Sequence, residues 1–156
     1  MTSPSSRLVR AGLTTGVVDG LFACVLGLIY SSSVTRVWKG VASTLLGPSA
    51  MEGGMGTVAI GVLMHFGVAL AWSAVFLALY MAFRGIRRLV HSRGGVLAAA
   101  AVFGPLIWVV MSLGVIPLLT GRPPSITYRW WIQLAGHIPF VALPMIWQIA
   151  RGGDRD

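Results

Sequence analysis

Residues 55–83, MGTVAIGVLMHFGVALAWSAVFLALYMAF, contain no Asp, Glu, Lys or Arg and a single histidine, His65. A helix crosses about 30 Å of hydrocarbon in about 20 residues, so this run can span with length left for tilt or for emergence from the bilayer. So long an uncharged stretch reads as a transmembrane helix. It also poses the functional question, because an imidazole in hydrocarbon is costly unless something pairs with it.

Three further runs of the same character lie near 11–31, 95–119 and 128–150. The whole chain of 156 residues is 56% hydrophobic and only 10% charged, with mean hydropathy +0.81; a soluble domain carries about a quarter charged residues. The expected fold is therefore an all-α membrane protein with four transmembrane helices in one domain over 1–156, without an internal repeat. Arg7 and Arg10 precede the first run as in a signal peptide, but Asp19 interrupts it and no small-residue cleavage site follows, so it reads as a retained span. Cys24 is the sole cysteine, which rules out an intrachain disulfide or a CxxC pair and leaves a small buried residue.

Between the first two spans, Val34, Val37, Trp38, Val41 and Leu45 recur at helical spacing, with Arg36, Lys39, Ser43 and Thr44 on the other positions. The spacing predicts an amphipathic helix over about 34–46, opened by a serine cap, stopped by Gly47 and Pro48, and too short to span. It would lie in the outer interface. A connector is the simpler role, and a lid over the bundle's mouth is the functional one.

The formal charge of +8 does not form one face, which argues against nucleic acid; the cations flank apolar runs, where they meet water or lipid headgroups. The bilayer is thus the expected partner, with a second copy or another membrane protein as further candidates. Arg7, Arg10, Arg84, Arg87, Arg88, Arg93, Arg151 and Arg155 fall on one side; Arg36, Lys39, Arg122 and Arg129 fall on the other. Eight against four places both termini in the cytoplasm, with Arg84, Arg87, Arg88 and Arg93 as the topology anchor. Tyr30, Tyr128, Trp130 and Trp131 would mark the outer interface, and Tyr80 and Trp147 the inner one. His91 lies within the anchor and is a poor site candidate.

Depth singles out three residues. Counting along the spans puts His65 and His137 each roughly 15 Å below the outer surface and Asp19 about 13 Å from the inner one, so all three share one stratum. Helical phase adds neighbours: Thr15, Asp19 and Tyr30 share a face, as do Gly61, His65, Ala69 and Trp72, and as do Trp130, Gln133, His137 and Gln148. Polar faces in lipid turn toward one another. Gly12, Gly16 and Gly20 form two overlapping GxxxG spacings, a helix-packing signal. Pro105 and Pro117 interrupt the third span and Pro139 and Pro144 the fourth; Pro139 is expected to free the Ala135 carbonyl one turn from His137.

No GxSxG, HExxH or phosphate-binding loop is present, and Glu52, Asp154 and Asp156 fall in flanking water, so nothing supports an enzymatic role. The expectation is a polar intramembrane site of Asp19, His65 and His137, with Gln133, Thr15, Ser112 and Trp72 beside it, handling a proton, an ion or a small ligand. Two alternatives stand. The same groups could simply hydrogen-bond across helices in an assembly or accessory subunit, or His65 and His137 could be axial ligands of a b-type haem in an electron carrier.

The segments GLTTGVVDG, RVWKGVASTLLG, GVLMHFGVAL, VVMSLGVIPL and GHIPFVALP, in that order, resemble a family of small bacterial four-helix membrane proteins without a characterised activity. The resemblance covers most of 11–150. It implies the four-helix architecture and a bacterial inner membrane, and it places Asp19, His65 and His137 within family-like motifs.

Overall fold

The computed structural model describes residues 3–151, so Asp154, Arg155 and Asp156 lie outside the described residues. Four helices among the described residues are long and apolar enough to cross a membrane: Pro4–Ile29, Met55–Ala82, Arg93–Thr120 and Tyr128–Arg151. Among the described residues there is no strand.

Helix α1 (Pro4–Ile29) begins at Pro4 rather than near residue 11, because Ser3 caps it and Pro4 occupies its first turn. The Ser3 Oγ accepts from the Ser6 N–H at 3.2 Å, and proline at this position forfeits no intrahelical bond. Helix α2 (Val34–Leu46) is opened by Ser33, whose Oγ accepts from the Arg36 N–H at 3.2 Å, and closed by Gly47 at φ 79°. A 3-10 turn, Pro48–Glu52, leads into α3 (Met55–Ala82).

Phe83 takes an extended conformation and separates α3 from the short α4 (Arg84–Leu89). Two carbonyls at the end of α3 find a side-chain donor there: the Arg87 guanidinium donates to Tyr80 at 3.0 Å and to Met81 at 2.6 Å. Cations belong at this helix terminus for electrostatic reasons as well. Arg84, Arg88 and Arg93 beside it are not buried.

Each of the last two long helices contains one π turn. In the third, α5 (Arg93–Val110) passes through Met111–Val115 into α6 (Ile116–Thr120); in the fourth, α7 (Tyr128–His137) passes through Ile138–Ala142 into α8 (Leu143–Arg151). Proline lacks the amide that a regular helix needs. Pro117 follows the first π turn and Pro139 lies in the second, so the widened turns absorb the missing donors. The expected orphan carbonyl is not formed: Ala135 accepts from the Ile138 N–H.

Helix α1 packs against α3 and α8, α2 lies across α3 and α1, and α5 packs on the fourth helix. The glycine stripe of α1 faces α3: a Cβ on Gly16 would come within 2.5 Å of the Phe66 ring, and one on Gly12 would strike Leu70. At the α4 end the core holds Phe76, Phe103, Ile107, Met145 and Ile146. There α3 meets the third helix through ring edges, Trp72 and Phe76 lying 5.9 and 5.1 Å from Phe103. Between that contact and α2, α3 and the third helix part and leave a cavity.

Candidate functional site

The cavity has a volume of about 280 Å³ and is lined from every long helix and from α2. Asp19, His65 and His137 all border it, together with Thr15, Trp72 and Gln133. The remaining lining is mostly aliphatic or thioether.

Glycines decide how the polar groups meet. At Gly16 and Gly20 α1 comes close enough to α3 for the His65 Nε2 to lie 2.9 Å from the Gly16 carbonyl oxygen, and a Cβ on Gly20 would lie 3.4 Å from the same nitrogen. A carbonyl only accepts, so Nε2 carries the proton and donates. The other ring nitrogen, Nδ1, then faces Asp19 Oδ2 at 3.9 Å. A lone pair beside a carboxylate is repulsive, and a proton on either group turns the pair attractive.

His137 repeats the logic on the fourth helix. Its Nδ1 donates to the Gln133 carbonyl at 2.7 Å, which leaves Nε2 as the acceptor. Its backbone is seated by Gly104 of α5: a Cβ there would lie 2.6 Å from the His137 carbonyl oxygen and 2.9 Å from the Ile138 nitrogen. The Trp108 ring stands 4.9 Å from the imidazole. Asp19 lies within electrostatic reach of both histidines.

Helix α2 contributes more than a connection. Its Trp38 rests its backbone on Gly61, where a Cβ would strike the Trp38 carbonyl, and extends its ring toward Gly20, 3.1 Å from where a Cβ would sit. The ring meets His65 at 5.2 Å, edge to face, and lines the cavity. Trp38 and Trp108 are not among the site residues expected from sequence; a tryptophan at helical spacing carries no mark that separates a cavity wall from a core. Gly104 carries no mark either, and phase places Gly61 on the His65 face without showing that the Trp38 backbone rests there.

A second cavity of about 450 Å³ adjoins the first at the α2 end and is bordered by Arg122, Arg129 and Ser112. Trp108, Gln133, Thr44 and Ile116 border both and partition them. Ser112 belongs to this vestibule rather than to the Asp19 site. Its Oγ accepts from the Trp130 Nε1–H at 3.0 Å in a buried contact. Trp130 is accordingly buried rather than displayed at an interface, whereas Tyr128 and Trp131 are exposed. Replacing Ser112 with Ala would strand that indole donor and is expected to cost about 1–3 kcal/mol, read as a lowered thermal midpoint; Ser112→Thr retains the acceptor and should largely restore it.

Two other expected face-sharers fall elsewhere. Tyr30 stacks under the Arg129 guanidinium, 4.1 Å from its ring centre, and Gln148 bonds Thr14 at 3.4 Å. The π turn Ile138–Ala142 lies between His137 and Gln148 and adds one residue without advancing the helix, so Gln148 departs from the expected face by close to the roughly 100° that one residue represents. His91 lies at the α4 end with Arg93 and Arg151, the latter stacked on Trp147 at 3.6 Å.

Among the described residues there is no group of three or more His, Cys, Asp or Glu side chains able to hold a metal ion. Comparison of the chain with protein-family models, with curated proteins and with solved structures gives no match.

Proposed function

We propose that this chain is an integral protein of a bacterial inner membrane, with both termini cytoplasmic, whose four spans enclose a site where Asp19, His65 and His137 handle a proton together with a small ligand. The observation that carries the reading is the Asp19–His65 pair, 3.9 Å apart on the wall of a 280 Å³ cavity. One imidazole nitrogen is spent on the Gly16 carbonyl, so the other faces the carboxylate, where a proton on either group makes the contact attractive.

Membrane residence is supported by the outer faces of the long helices. Large apolar side chains are exposed on all four, among them Leu21 at 63%, Leu63 at 72%, Val102 at 71% and Trp131 at 60%, which suits hydrocarbon rather than water. Orientation rests on the excess of cations at the α4 end.

A purely architectural role accounts less well for the cavity. Polar groups retained only for packing satisfy one another, yet the Thr15 Oγ1 and the Trp108 Nε1 are buried without a partner among the described residues. A bis-histidine haem has no comparable support, since His65 has Nε2 engaged and presents Nδ1 beside Asp19.

The test is proton movement into proteoliposomes carrying an internal pH dye and a potassium diffusion potential. Wild type is expected to acidify the lumen, and Asp19→Asn to slow it by up to about a thousandfold, given that unit charges about 4 Å apart interact by about 4 kcal/mol at an effective dielectric of about 20 and that each step of about 1.4 kcal/mol is a factor of ten in rate. Equal rates in wild type, Asp19→Asn and empty liposomes would remove the proton from the proposal.

A further inference from the structure

Resting on that reading, we infer that the ligand of the Asp19 cavity is a lipophilic organic ammonium ion, which enters from the bilayer between α3 and the third helix. The chemistry of the lining selects the charge. The groups on the cavity that can answer a charge are acceptors, namely the Asp19 carboxylate, the lone pair on Nδ1 of His65 and the lone pair on Nε2 of His137, whereas the unsatisfied donor there, the Trp108 Nε1–H, is neutral. Twelve lysines and arginines occur in the sequence, yet among the described residues none borders this cavity. An anionic ligand would find no cation there, and a neutral hydrocarbon would strand the acceptors.

The aromatic lining points the same way. Trp38, Trp72 and Trp108 come from three different helices to one cavity, and indole faces are the strongest aromatic partners of an ammonium group. Three tryptophans lining one cavity with one carboxylate offer the two attractions that such an ion needs, π surface and a counter-charge. Thr15, buried at 1% exposure with its hydroxyl unpartnered, borders the same space and offers a further oxygen.

The route follows from packing and from charge. Helix α3 is held by α1 and α2, and the third helix by the fourth; between them contact is made at Phe103 near the α4 end and at α2 against α6 near the other. Val68 and Leu119 border the cavity and are also exposed, at 38% and 57%, so its wall reaches the apolar surface. The vestibule, in contrast, carries Arg122 and Arg129, which repel a cation. A lipophilic amine already partitioned into the membrane meets the cavity from the side without crossing that field.

The test uses the purified full chain in detergent micelles or nanodiscs and three probes of one skeleton: 4-phenylbutylammonium, 4-phenylbutanol and 4-phenylbutyrate. Binding is read from tryptophan fluorescence and by calorimetry. The ammonium is expected to saturate a single site and to bind at least about tenfold more tightly than the alcohol, with the carboxylate weakest. Asp19→Asn should remove the preference for the ammonium over the alcohol, and Trp72→Phe should weaken the ammonium more than the alcohol; both variants are checked for wild-type melting. Equal affinities for ammonium and alcohol in wild type, tighter binding of the carboxylate, or a preference that survives Asp19→Asn would overturn the inference. The probe series needs no variant, so a misfolded Asp19→Asn leaves it decisive. If the ammonium shows no preference while Asp19-dependent proton movement persists, the ligand class fails and the proposed function stands; if neither is seen, both fail.

Discussion

Gly61→Ala is expected to lower the thermal midpoint substantially and to uncouple Trp38 from His65. The added methyl would enter the space of the Trp38 carbonyl, and backbone cannot yield as a side-chain tip can. Overpacking of this kind costs about 1–3 kcal/mol, and relief requires α2 to lift from α3. Because α2 carries Trp38 over His65, the lift also opens the cavity, so the tryptophan emission should move red alongside the lost stability. Gly40 supplies the control: it lies in α2, and a methyl added there would meet nothing within 4 Å, so Gly40→Ala is expected to be neutral or to stabilise the helix by about 0.5–1 kcal/mol. Equal behaviour of the two variants would show that α2 is not seated on Gly61.

The second large effect is the non-additivity of Asp19→Asn and His65→Gln in the proton assay. Each variant removes one end of the same 3.9 Å pair, and groups that act as a unit lose their function once. Asp19→Asn alone, His65→Gln alone and the double variant are therefore expected to slow proton entry by similar factors. A double variant whose loss is the product of the two single losses would mean that Asp19 and His65 act in separate steps. His137→Gln provides a third comparison: Asp19 interacts with His137 as well as with His65, so the loss in His137→Gln is expected to be masked in the double variant with Asp19→Asn.

Much of the architecture is legible because membrane-like helices announce themselves by length. The second, third and fourth long helices begin and end within about two residues of the apolar runs, and α2 follows its serine cap and its terminating Gly47. The first helix is longer than its apolar run, since hydropathy sees where apolar residues start and not where Ser3 and Pro4 nucleate a turn. Depth groups Asp19, His65 and His137 and phase adds Thr15 and Trp72, all of which border one cavity. Phase fails for Gln148 because counting at 3.6 residues per turn presumes an unbroken helix, and the π turn Ile138–Ala142 breaks that count. For Ser112 the sequence points to the wrong cavity, since depth alone does not say which neighbour a side chain meets; Trp130 claims it.

By itself the sequence determined four apolar helices, their order and the level of the ionisable residues along them, because residue count times rise is a local quantity. Tertiary structure alone decided that α2 folds inward over His65, that Trp38, Trp72 and Trp108 share one cavity, and which nitrogen of each histidine is left to act. Those outcomes rest on backbone approaches at Gly16, Gly61 and Gly104, and close approach is a property of two helices at once, which no periodicity within either one contains.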